Sequence, residues 1–225
     1  MKLLIVYAHE EQNSFSCALK DVAVSVLRSR GHTVEVSDLY AQHFNPVASR
    51  EDFTTLSDKQ YINYMLEQRT AAEHGYFSQD ICAEQEKVRR ADLIMFHFPV
   101  WWFSAPAILK GWFDRVFATG VTWNFGHIYD TGLLKGKKAM LVVTTGGGED
   151  LYQNRGAHKA TILQILHPIM HGTLHFCAMD VLPPFVAFGI FQAGEEGRKN
   201  YLEAFRVRLS SIETTPPIEF SSLCP

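Results

Sequence analysis

The sequence predicts an α/β fold in which a five-stranded parallel sheet carries helices on both faces. Three observations support this. Near-continuous apolar runs at 2–8, 92–98 and 137–145 have the length and composition of strands buried on both sides. Amphipathic or charged stretches of helical length separate them. The 225 residues are 47% apolar, enough for one sizeable core.

The elements follow in order. Residues 2–8 form the first strand. A polar turn comes next, in which Ser14 or Ser16 caps a helix that reaches Arg30 and stops at Gly31. Residues 32–39 alternate apolar with polar and give a second strand, whereas 40–79 lack a clean period and read as a long excursion holding short helical pieces. A charged helix at 80–91 feeds the strand at 92–98, which Pro99 ends. Ile108, Leu109, Trp112, Phe113, Val116 and Phe117 recur at helical spacing within 107–119. The strand at 137–145 closes in three glycines, and a helix over 157–171, a strand over 179–190 and a helix over 195–212 complete the pattern. Residues 1–215 form one expected domain, and 216–225, opening on Pro216 and Pro217, an irregular tail. Strands alternating with helices suit a flavodoxin-like winding, which places a ligand beyond the carboxyl ends of the strands.

Several function classes fall away. Twenty-one Lys+Arg against 24 Asp+Glu leave a formal charge of −3, without the basic excess a nucleic-acid groove needs. The longest charge-free stretch, 93–109, is broken by two prolines and is too short for a membrane span. The first apolar run is too short for a signal-peptide core, and the four cysteines lack CxxC spacing, so a cytoplasmic protein with reduced thiols is expected. The segment 132–137 has glycines and a lysine but precedes a strand and lacks the P-loop Ser/Thr. His171 and His175 have zinc-pair spacing, yet Gly172 stands where a metalloprotease needs its glutamate.

What remains is a constellation of three segments, each following a strand. The first is the turn at 9–18, where a helix N-terminus suits a phosphate. The second, Pro99, Val100, Trp101, Trp102 and Phe103, offers backbone amides and rings to a flat heterocycle. The third is Thr144, Thr145, Gly146 and Gly147, followed by Tyr152 and His158; its glycines let backbone donors approach a ring, and the Tyr and His could stabilise charge developing on it. Eleven aromatic residues lie between Phe96 and Tyr129, and about half of them fall at core spacing.

In its words LIVYAH (4–9), SDLY (37–40), ADLI (91–94), FP (98–99), WF (102–103), APAILKGWF (105–113), TTGG (144–147), GTLHFC (172–177) and VL (181–182), the chain resembles the NAD(P)H:quinone oxidoreductase family of DT-diaphorase type. The likeness spans about residues 2–215. It implies a flavodoxin-like homodimer with shared active sites and one FAD per subunit. His9, Asn13, Ser14, Phe15, Ser16 and Ala18 would hold the FAD phosphates and nearby groups. Residues 99–103, Thr144 to Gly147 and Tyr152 would hold the isoalloxazine, with Arg198 and Leu202 near the adenine. Trp123 and Phe125, standing where the family has two aromatic residues, commonly tyrosines, would lid the partner's substrate pocket together with Asn124, Ile128 and Phe176. Tyr152 and His158 would be catalytic. One family branch, which uses ribosyl nicotinamides, lacks a histidine at the position of His158, so its presence favours NADH or NADPH here. That branch also binds a metal through histidines matching His171 and His175 and a C-terminal cysteine. Phe220 occupies the matching position in this chain, with Cys224 four residues on, and no metal is expected.

The resulting expectation is two-electron reduction of quinones by NADH or NADPH, with hydride passing through flavin N5 in a ping-pong scheme. The alternatives are a nitro- or azo-reductase of the same fold, or a regulatory flavoprotein subunit of a potassium-efflux transporter.

Overall fold

The computed structural model describes residues 1–220. Its strands are β1 (Lys2–Tyr7), β2 (Thr33–Asp38), β3 (Leu93–Pro99), β4 (Lys138–Thr144) and β5 (Asp180–Ala187). All neighbours pair in parallel in the order β2-β1-β3-β4-β5. The order reverses between β1 and β3, and that switch point opens a crevice at the carboxyl ends of the two strands.

Alternation along the central strands explains why they read as unbroken apolar runs. Leu4, Val6, Ile94, Phe96, Leu141 and Val143 pack into one core cluster. Leu3, Ile5, Leu93, Met95, Met140 and Val142 pack into another. Each strand is buried on both faces because helices cover both. Helices α1 (Phe15–Ser29) and α6 (Gly194–Ser210) carry Leu19, Leu27, Phe205 and Leu209 into the second cluster. Helices α4 (Ala107–Val116) and α5 (Ile162–Ile169) carry Leu109, Trp112, Phe113 and Leu166 into the first. Edge strand β5 tolerates Pro183 and Pro184 at a register shift opposite the Met140/Val142 step.

The excursion at 40–79 contains one 3₁₀ turn (Arg50–Asp52) and helix α2 (Tyr64–His74), ahead of α3 (Gln79–Arg90). Polar anchors order it in place of an apolar stripe. Buried Arg115 donates from Nε to Asp52 Oδ1 at 3.0 Å, and from Nη1 to Asp80 Oδ2 at 2.7 Å and to the Asn45 carbonyl at 2.8 Å. Glu67 accepts from the Ser57 amide at 2.8 Å and from the Ser57 hydroxyl.

Several boundaries differ from the sequence expectation: β5 ends at Ala187 and not at 190, and two helices differ as follows. The helix over 157–171 begins only at Ile162, because Thr161 and Gln164 form a capping box. It loosens into a π turn (Met170–Leu174) just after Pro168, which cannot donate to the helical ladder, and tightens again into a 3₁₀ turn at His175–Cys177. Helix α4 stops at Val116, three residues short of the expected end, and Phe117 caps it with non-helical φ/ψ.

Candidate active site

The three segments meet at the carboxyl edge of the sheet, and each pair is joined by a contact. His9 and Trp101 have ring centroids 6.1 Å apart. Buried Ser16 Oγ lies 3.0 Å from Thr144 Oγ1. Phe103 meets His158 edge-on at 5.0 Å, and His158 lies 4.8 Å from Tyr152.

The first segment turns tightly. The Glu11 amide donates to His9 Nδ1 at 3.0 Å, and the Glu11 carboxylate accepts from the Asn13 amide at 2.7 Å. Ser14 is the N-cap of α1 and accepts from the Cys17 amide at 3.1 Å. The amides of Phe15 and Ser16 face no acceptor among the described residues. They are the orphan donors of a helix start, beside its positive end. Burial holds the His9 imidazole below its ordinary value, against the opposing pull of Glu11 and Glu10.

The second segment is a two-residue hairpin. Trp101 and Ser104 exchange both backbone hydrogen bonds at 3.0 Å. Trp102 and Phe103 occupy its tip with φ of 48° and 59°. Such a tip normally calls for Asn-Gly, since β-carbons in the left-handed region cost about 1–2 kcal/mol each. Trp102 is nevertheless 95% exposed, Phe103 49% and Trp101 45%. Strained backbone that displays large rings to solvent fits a ligand surface better than a core.

The third segment places Gly146 and Gly147 after β4. The amides of Gly146, Gly147, Trp102 and Phe103 have no acceptor among the described residues, so this edge presents a row of free donors. The loop after Gly148 folds back on itself: the His158 amide donates to the Leu151 carbonyl at 3.2 Å. A β-carbon at Gly156 would lie 2.3 Å from the Asp150 carbonyl oxygen, so only glycine permits this fold. His158 therefore sits on a loop over Tyr152, and the sequence expectation of a helix there does not hold.

The predicted adenine residues Arg198 and Leu202 lie on α6, next to the Tyr201 ring that meets Phe15 edge-on at 6.4 Å. Trp123 packs against Phe125 at 5.9 Å and Phe176 at 5.4 Å, with Tyr129 against Phe176 at 5.4 Å. Asn124 closes this hairpin by exchanging backbone hydrogen bonds with His127, and Ile128 beside it is partly exposed. His167, His171 and His175 stack in sequence at 4.9 and 5.4 Å, and Phe220 lies against all three. Among the described residues no three His, Cys, Asp or Glu side chains are placed so that they could hold a metal ion, and Cys224 lies outside them. Sequence reasoning passed over the loop after β5, where Ile190 and Phe191 reach the same edge; the glycine between aromatic and apolar residues in Phe188-Gly189-Ile190-Phe191 was the available signal.

Sheet order, free donors at the switch point and the displayed rings define a flavodoxin-like protein. The Flavodoxin_2 family model, described as a flavodoxin-like fold, matches residues 1–209. Human ribosyldihydronicotinamide dehydrogenase [quinone] is 47% identical over 218 residues, covering 96% of this chain and 94% of that protein. Guinea-pig (Cavia porcellus) NAD(P)H dehydrogenase [quinone] 1 is 43% identical, covering 98% of this chain and 80% of that protein. Among solved structures, a Klebsiella pneumoniae protein assigned as a quinone reductase superposes with a TM-score of 0.92 at 38% identity, over 97% of this chain and 87% of that one. The chain belongs to the NAD(P)H dehydrogenase (quinone) family of oxidoreductases.

Proposed function

We propose that the protein is an FAD-dependent enzyme that reduces quinones with NADH or NADPH. The convergence of three loops on one edge rich in free backbone donors carries this reading. The residues fit a flavin: the Gly146 and Gly147 amides at the end of β4 face no acceptor among the described residues, and the α1 amides suit its phosphates. When bound, FAD accepts hydride from a dihydronicotinamide and returns it to a quinone.

The chain's own contributions follow from the geometry. Phe15 and Ser16 amides and the His9 imidazole would hold the phosphates, with Asn13 and Ala18 near them and Arg198 and Leu202 toward the adenine. Gly146, Gly147, Trp102 and Phe103 would offer their free amides to the ring, with Pro99, Val100 and Thr145 alongside. Tyr152, braced by His158, stabilises negative charge arriving there or supplies a proton. Donor and acceptor would share one slot beside Trp101, Trp102 and Phe103 and so take turns, which gives ping-pong kinetics. The exposed rings, together with Phe125, form an apolar surface suited to a second copy, in which Trp123, Asn124, Phe125, Ile128 and Phe176 cover the partner's slot. No helix among the described residues is long and apolar enough to cross a membrane. Cys17, Cys82 and Cys177 are free, in keeping with a cytoplasmic setting.

Relatives of this chain are named for ribosyl nicotinamide as well as NAD(P)H donors. His158, in contact with both Tyr152 and Phe103, favours NAD(P)H. The test is the mass of the flavin released on denaturation, with kcat/KM for NADH, NADPH and a ribosyl dihydronicotinamide against one quinone. Released FAD and a higher kcat/KM for NADH or NADPH support the reading. FMN would overturn the cofactor assignment, and a higher kcat/KM for the ribosyl donor would overturn the donor.

A further inference from the structure

Charge is unevenly placed around the slot. Along the segments that form its edge, 9–18, 99–104, 144–159 and 188–193, the acids are Glu10, Glu11, Glu149 and Asp150, and the bases are Arg155 and Lys159. The molecule as a whole has a formal charge of −3. Such a surface repels a donor that carries phosphates unless cations meet it where it enters. Arg155 and Lys159 flank His158, whose ring lies 5.0 Å from Phe103 and 4.8 Å from Tyr152. Both are exposed, and neither pairs with a carboxylate among the described residues, although Glu149 and Asp150 belong to the same loop. Lys110, Arg115 and Lys199, by contrast, pair with Asp114, Asp80 and Glu195.

An unpaired surface cation is ordinary by itself. The backbone that presents this pair is not. Lys159 holds φ at 52°, a left-handed conformation in which a lysine accepts strain that a glycine would avoid. Its amide donates to the Gly156 carbonyl at 3.2 Å, and the Gly156 amide to the Gln153 carbonyl at 2.8 Å. Together with the bond from the His158 amide to the Leu151 carbonyl, these contacts fix the loop and keep both bases beside His158. The three candidate donors differ in the property such a pair senses. A ribosyl dihydronicotinamide has no phosphate, NADH has a pyrophosphate, and NADPH adds a 2′-phosphate that brings about two further negative charges. We propose that Arg155 and Lys159 bind the phosphates of the dinucleotide donor at the mouth of the slot and make NADPH preferred over NADH. This rests on the reading of the reaction above and narrows its donor. The guanidinium can take a phosphate through paired N–H groups, and the ammonium acts as a point charge beside it. The phosphates lie away from the reacting nicotinamide ring, so the pair acts on donor capture and leaves hydride transfer unchanged.

The experiment measures kcat and KM of the flavin-loaded enzyme for NADPH, NADH and a ribosyl dihydronicotinamide against one quinone at low salt. It compares wild type, the double variant Arg155→Gln with Lys159→Gln, and the charge-conserving double variant Arg155→Lys with Lys159→Arg. Calorimetric titration of NADP+ gives a second readout that needs no turnover. Wild type should favour NADPH over NADH in kcat/KM. In the neutralised variant, KM for NADPH and Kd for NADP+ should rise about tenfold and KM for NADH about threefold, with kcat unchanged. Turnover of the uncharged ribosyl donor should not change, which also reports that the loop is intact. The charge-conserving variant should stay within about threefold of wild type for every donor. The wild-type preference for NADPH should shrink as salt is raised from about 0.01 M to about 0.15 M. A wild type that favours NADH, equal losses for all three donors, or an NADPH KM within about twofold of wild type after neutralisation overturns the proposal. A wild type that turns over the ribosyl donor but neither NADH nor NADPH overturns the donor reading beneath it, and the proposal with it.

Discussion

Trp102 and Phe103 hold left-handed backbone that neither residue favours, and Trp102 gains no burial in return while Phe103 stays about half exposed. Replacing them by Asn and Gly, the residues a two-residue hairpin prefers, should raise stability by about 1–2 kcal/mol in chemical denaturation and lower quinone turnover. Tyr152→Phe should slow the reductive half-reaction about tenfold or more in stopped flow, and an unchanged rate would remove Tyr152 from the chemistry. A fourth residue bears on stability. His97 lies on β3 in the row of Leu93 and Met95, with both ring nitrogens unpartnered, and burial pulls its imidazole down to about 3. In the unfolded chain the same group titrates at about 6.5, so only the unfolded state takes up the proton as pH falls below that value. Its contribution is intact above pH 6.5 and is lost progressively toward pH 3. Against His97→Leu, wild type should lose about 2 kcal/mol between pH 7 and pH 5 in urea denaturation. Identical pH profiles would contradict the assignment. At this scale the sequence singled out three segments that the fold gathers at one edge, but not which of their side chains touch. The pairings of Ser16 with Thr144 and of Phe103 with His158 depend on loops that only the folded sheet brings together.

At the scale of elements, the strands were legible because burial on both faces leaves an unmistakable apolar run. The loop carrying His158 was misread because its sequence admits helix up to a cap at Thr161, and the capping box with Gln164 outweighs that propensity. The excursion at 40–79 was opaque for a different reason. Arg115, Asp52 and Asp80 hold it, and ion pairs distant in sequence leave no periodicity. Glycines divide in the same way. Gly132 resembled part of a phosphate loop, yet a β-carbon there would lie 2.4 Å from the Cys177 carbonyl carbon, so it is a packing glycine. Gly132→Ala should destabilise by about 1–3 kcal/mol. Gly172, in the π turn with nothing within 4 Å of an added β-carbon, should accept alanine at no cost. Equal melting shifts for the two variants would refute this distinction.

Taken whole, the molecule uses its sheet as a rigid platform and its loops as the chemistry. Both outer strands are edges, and the ligand crevice opens where the winding reverses between β1 and β3. The rings of Trp101, Trp102, Phe103 and Phe125 remain exposed outside both of those core clusters. The central claim is that one slot serves donor and acceptor in turn. Anaerobic stopped flow tests it most directly, by mixing the flavin-loaded enzyme with NADH or NADPH alone and then with quinone. The account predicts full bleaching of the flavin absorbance before any quinone is added, followed by its return in proportion to the quinone supplied. Bleaching that requires both substrates together would contradict it.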